Sequence, residues 1–181
     1  MKVVRVYFEG APALGPGFRV FYRRLFDLAH ERNVDFRFVS GGSGPQVKRD
    51  VALDKRLNPE QWTIALLDSE GAAFDAEEPD VFWMVELMEA WFLADRDSLS
   101  RFYGRDANLG VLPRSQNVER IPKADVMNSL KELTRTTKKG RYHKTVHAPE
   151  LLKQLDTERV RKAAENCDRM FREIERRLSE L

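Results

Sequence analysis

The first seventy residues constrain the fold more than anything else in the chain. Three short runs rich in β-branched and aromatic residues, at 3–8, 34–39 and 62–67, are separated by two segments with helical spacing. The first segment, "FRVFYRRLFDLAHERN", brings Phe18, Phe21, Tyr22, Leu25 and Leu28 onto one face; the second is "QVKRDVALDKRL". Each crossover is long enough to hold a helix, so the three strands are expected to lie parallel in an open sheet of the doubly wound α/β kind. Further on the rhythm changes. "DVFWMVELMEAWFLAD" reads as one long helix and "KADVMNSLKELTRTT" as another, and residues 148–181 supply one or two closing helices. With no repeat or Pro/Gly-rich linker, the expected organisation is a single domain over 1–181. Its core would span about 1–97 and a helical C-terminal portion about 98–181.

The first and third strands share an ending. "RVYFEG" stops at Glu9-Gly10 and "ALLDSEG" at Asp68, Glu70 and Gly71. Ligands of open parallel sheets bind at the carboxyl ends of the strands, so Glu9, Asp68 and Glu70 would gather on one edge. In an extended chain Asp68 and Glu70, two apart, share a face. Carboxylates concentrated in this way repel unless a divalent cation neutralises them. Oxygen-only donors point to Mg²⁺ or Mn²⁺ rather than zinc. The histidines offer no Cys/His ligand spacing, since His30 ends a helix and His143 and His147 lie in a basic turn. The competing reading makes "DSEG" an ordinary turn.

Net charge is +2, so the total says little about partners, but its distribution says more. Residues 68–97 carry ten acids against one base, and residues 131–144 six bases against one acid. Such a juxtaposition suits a metal site beside a phosphate-binding surface, or two solvated faces of opposite sign. In the basic turn "TTKKGRYHK", Lys138, Lys139, Arg141 and Lys144 surround Tyr142, a pattern that can hold phosphates and stack a base, or simply be a solvated loop. On a helix Glu86 and Glu89 would project about 60° apart among apolar neighbours. They would then complete the metal site or pair with Arg19, Arg23 or Lys144. Trp83 and Trp91 read as core.

The single cysteine, Cys167, excludes an intramolecular disulfide and is expected to pack in the final helix. The start "MKVVRVYF" lacks a long apolar signal region, and no apolar run reaches the roughly 18–20 residues of a membrane span. A cytoplasmic, membrane-free protein is the expectation. The loop "GAPALGPG" lacks Gly-Lys-Ser/Thr, which argues against ATP hydrolysis by this chain. Asp-x-Asp is missing after the first strand, which sets aside a haloacid-dehalogenase-like phosphatase.

Glu-Gly after the first strand and paired acids after the third resemble the Toprim domain of topoisomerases, primases and overcoming-lysogenization-defect nucleases. Further along, "VYFEG", "LLDSEG", "MVELMEAWFLADRDSLSRFYG", "LP", "NVERIPKADV" and "KGRYHK" follow one another as in a bacterial Toprim-like family, domain of unknown function 4276. The resemblance covers nearly the whole chain. It implies that Glu9, Asp68 and Glu70 hold Mg²⁺ for phosphoryl transfer on DNA or RNA, with Glu70 standing where Toprim domains commonly carry Asp. Arg19 and the basic turn would contact nucleic acid. It also implies an ATPase partner and a role in bacterial anti-phage defence, either as a nuclease or as a non-catalytic binding subunit.

Overall fold

The computed structural model describes residues 2–76 and 78–180. β1 (Lys2–Phe8), β2 (Val34–Ser40) and β3 (Trp62–Asp68) are parallel, as the crossover lengths require. A fourth strand, β4 (Val81–Met84), joins them, and the sheet order is β2-β1-β3-β4.

β4 corrects the expected long helix over residues 80–95. Val81 to Met84 pair in parallel with Ala65 to Asp68, and only Ala90–Ala94 (α4) is helical in that stretch. The run is apolar on both faces because both are buried. Phe82 and Met84 enter the main core, while Val81, Trp83 and Val85 enter a second cluster with Val47, Val51, Ala65 and Leu67. A strand covered on both sides shows no alternation, so its sequence is indistinguishable from a buried helix. The first expected helix is also divided, at Tyr22, into α1 (Gly15–Phe21) and α2 (Arg23–Glu31).

The two clusters explain the layers. α1 and α2 connect β1 to β2 over one face, and α3 (Gly44–Leu57) connects β2 to β3 over the other. Along β3, Ile64 and Leu66 point to the first face and Ala65 and Leu67 to the second, the period of two that a pleated strand imposes. The helical half continues as α5 (Arg96–Tyr103), α6 (Lys123–Leu133), α7 (Lys144–Leu152), α8 (Thr157–Ala163) and α9 (Glu165–Ser179). It closes over the first face, so that one continuous apolar cluster runs from Val4 to Leu178. Trp91 stacks on Phe21 at 5.1 Å inside it, and Cys167 is buried in α9. Among the described residues no helix is long and apolar enough to cross a membrane.

Candidate functional site

The chain lays β2 on one side of β1 and β3 on the other. Connections therefore leave in opposite directions between β1 and β3, which makes the carboxyl ends of these two strands the topological switch point of the sheet, the place where open α/β sheets bind ligands. Glu9 and Asp68 stand at that point. Glu9 still pairs through its backbone N–H with the Leu66 carbonyl at 2.9 Å, and then Gly10, at φ 128°, turns the chain away. The Glu9 carboxylate leans over the start of α3. A Cβ on Gly44 would stand 2.9 Å from Glu9 Oε2, so the absence of a side chain there makes room for the acid. The positive end of α3 favours the carboxylate.

Three carboxylates influence one another here: Glu89 and Glu9 each act on Asp68 by like charge. Glu89, immediately before α4, is 0% exposed, and the Asp68 side chain is 6% exposed. Each acid has one oxygen anchored by a protein donor. The Asp68 N–H donates to Glu9 Oε2 (3.2 Å), the Met88 N–H to Asp68 Oδ1 (2.9 Å), and the Tyr142 hydroxyl to Glu89 Oε1 (3.0 Å). Among the described residues the one cation in contact is Lys144, at the start of α7, whose Nζ lies 3.4 Å from Glu89 Oε1 and 3.8 Å from Asp68 Oδ2. Glu89 Oε2 is buried with no hydrogen-bond partner among the described residues.

The electrostatics arise from burial and like charge. Burial pushes the Asp68 carboxyl up to about 7; Lys144 and the Met88 N–H pull it down, while Glu89 and Glu9 push it further up. Burial opposes the charge on Lys144, but Glu89, Asp68 and Glu9 outweigh it and raise its ammonium above the usual lysine range. Burial, then Glu89, drive the Tyr142 phenol far up, so it remains a donor at every physiological pH.

The expected residues divide into those the cluster includes and those it leaves out. Glu70 does not share a face with Asp68. The chain leaves the strand after Asp68, Glu70 adopts φ 55°, and its carboxylate pairs with Lys123 at the rim. Glu86 is likewise off any helix; its Oε2 accepts from the Lys123 N–H at 2.7 Å, capping α6. Glu89 joins the cluster through Lys144, one of the expected pairings. Arg19 lies over the Phe26 ring at 4.9 Å, and Arg23 pairs with Asp27. In the basic turn Lys138 is exposed, Lys139 covers Phe102 at 4.6 Å, and Arg141 faces Glu132 at 3.8 Å. Tyr142 is 5% exposed and bound to Glu89, so it is no stacking platform. Its structural role left no trace in the sequence, where it stands within a run of cations. His147 binds the Tyr103 hydroxyl at 3.0 Å, apart from the acids.

In kind, the donors suit a hard divalent ion: they are all carboxylate oxygens, they outnumber their one cation, and one is orphaned in the interior. As they stand, however, no group of three or more His, Cys, Asp or Glu side chains among the described residues is arranged so that it could hold a metal ion; the chemistry of the donors fits, and their spacing would have to close. The model of one family, domain of unknown function (DUF4276), matches residues 25–175. No curated protein and no solved structure gives a match.

Proposed function

The chain belongs to the DUF4276 family, and on that premise we propose that it is a Toprim-like, Mg²⁺- or Mn²⁺-dependent phosphoryl-transfer enzyme, a nuclease acting on DNA or RNA. The observation that carries this reading is the buried cluster of Glu9, Asp68 and Glu89 at the switch point between β1 and β3, with Glu89 Oε2 unpartnered among the described residues. Those three acids would hold the ion, with Glu70 on the rim beside Lys123. A divalent ion so held supplies charge neutralisation at phosphorus and an activated water.

The protein's own groups supply the rest. The N–H groups of Asp68 and Met88 and the Tyr142 hydroxyl fix the carboxylates, so that little reorganisation is required when a substrate arrives. Lys138, Lys139 and Arg141, exposed just before α7, offer charge to the phosphates on either side of the scissile one. A second reading, a non-catalytic subunit docked on an ATPase partner, draws support from Lys144, which already neutralises part of the cluster.

The test is cleavage of end-labelled single- and double-stranded DNA and RNA, with Mn²⁺ or with EDTA, by wild type, Glu9→Gln and Asp68→Asn. Metal-dependent cleavage by wild type that both variants lose supports the enzyme. Inert wild type on every substrate favours the binding subunit.

A further inference from the structure

We propose that Lys144 is an exchangeable counter-ion of the acid cluster, holding the ground that a divalent cation takes and leaving it when the cation enters. The inference rests on the metal reading above, and it concerns the order in which two positive charges use one set of oxygens.

The contacts of Lys144 differ from all others in the cluster. The three anchoring hydrogen bonds run from 2.9 to 3.2 Å and come from two backbone N–H groups and a buried phenol, none of which can leave without unfolding the site. Lys144 stands at 3.4 and 3.8 Å, longer than the roughly 2.7–2.9 Å of a tight charge-assisted bond. Its side chain is 48% exposed, against 6% for Asp68 and 0% for Glu89. One end of the ion pair is thus locked in the interior, and the other is a flexible stem with water beside it. The ammonium can swing outward, at the start of α7, without disturbing the core.

The oxygens tell the same story from the other side. Among the described residues nothing donates a hydrogen bond to Glu9 Oε1, Asp68 Oδ2 or Glu89 Oε2, and Asp68 Oδ2 has only the ammonium at 3.8 Å. Each acid therefore keeps one oxygen uncommitted, while a single positive charge faces three negative ones. A lone ammonium cannot satisfy that set; a doubly charged ion bound in its place can. With Lys144 still inward, an arriving cation would meet a like charge a few ångströms away, so the two occupancies exclude one another.

The experiment uses the full chain and Mn²⁺ alone, at pH 8. Calorimetric titration is made on wild type, Lys144→Met and Lys144→Arg, with the melting temperature of each as folding control. Lys144→Met, which removes the competing charge while keeping most of the bulk, should bind Mn²⁺ about tenfold tighter, because affinity is no longer reduced by the fraction of closed cluster. Lys144→Arg should stay near wild type. A second measurement avoids substitution altogether: acetylation of Lys144 in wild type, followed by mass spectrometry, should quicken on adding Mn²⁺. If wild type binds Mn²⁺ but Lys144→Met binds it equally or more weakly, and acetylation is indifferent to the metal, the exchange is overturned and the metal site stands. If neither protein binds Mn²⁺, the metal reading falls and takes the exchange with it. Should Lys144→Met fail to fold, the acetylation result decides alone.

Discussion

Asp68→Asn should make the protein more stable at pH 8 and leave its stability almost unchanged at pH 4, with EDTA present throughout. Burial, aided by Glu89 and Glu9 against the pull of Lys144 and the Met88 N–H, carries the Asp68 carboxyl from 3.8 to about 7. The folded protein therefore binds this proton more tightly than the unfolded chain does. Between pH 4 and pH 7 the folded state holds more protons, so stability falls as pH rises, and the loss is complete above pH 7. Converted in full, the change from 3.8 to about 7 is worth about 4 kcal/mol. Water reaching the cluster beside the half-exposed Lys144 trims this to about 2–4 kcal/mol. Asn keeps an oxygen for the Met88 N–H and carries no charge, so it lacks the penalty at every pH. Urea denaturation of both proteins from pH 4 to pH 8 should show curves that coincide at the acid end and separate steadily. A difference independent of pH, or a variant less stable at pH 8, would refute the reasoning, because it would mean that the charged carboxylate is comfortable where it lies.

Glu70→Gln should cost at most about 1 kcal/mol in denaturation and leave Mn²⁺ affinity unchanged, since its partner Lys123 is 44% exposed and the pair is wet. Gly44→Ala fits the helical backbone but crowds Glu9 Oε2, so calorimetry should show weaker Mn²⁺ binding while the melting temperature moves by a few degrees at most. Replacing Lys138, Lys139 and Arg141 together by Ala should flatten the dependence of nucleic-acid affinity on salt by about two to three charges, read by fluorescence anisotropy. An unchanged slope would make the turn an ordinary solvated loop.

The legible parts of the site are those set by strand periodicity. A short apolar run ending in Glu9-Gly10 and another ending in Asp68 announce two strand ends, and the helical spacing between them makes the strands parallel. Beyond a strand end the path of the chain is set by the turn, which periodicity does not describe. Continued extension would put Glu70 on the face of Asp68, but the left-handed backbone at Glu70 sends it to Lys123. β4 is hidden because its four residues are buried on both faces, which erases the alternation that distinguishes strand from helix. Glu89 stands out in the sequence as an acid among bulky apolar residues. Its companionship with Asp68 comes from tertiary contacts that no local pattern encodes: the neighbouring Met88 N–H donates to Asp68 Oδ1, and Lys144, far along the chain, faces both acids. Tyr142 shows the converse error, since a residue flanked by cations looks like a surface contact but points inward to hold Glu89.

The central claim is that Glu9, Asp68 and Glu89 hold one divalent ion, and the most direct measurement is an anomalous difference map from a crystal soaked in Mn²⁺. The account predicts one peak bounded by those three carboxylates, with Glu70 still paired to Lys123 and the Lys144 ammonium turned outward. A map with no peak at that point, or with a peak held instead by Glu70 and Glu86 at the start of α6, would contradict it.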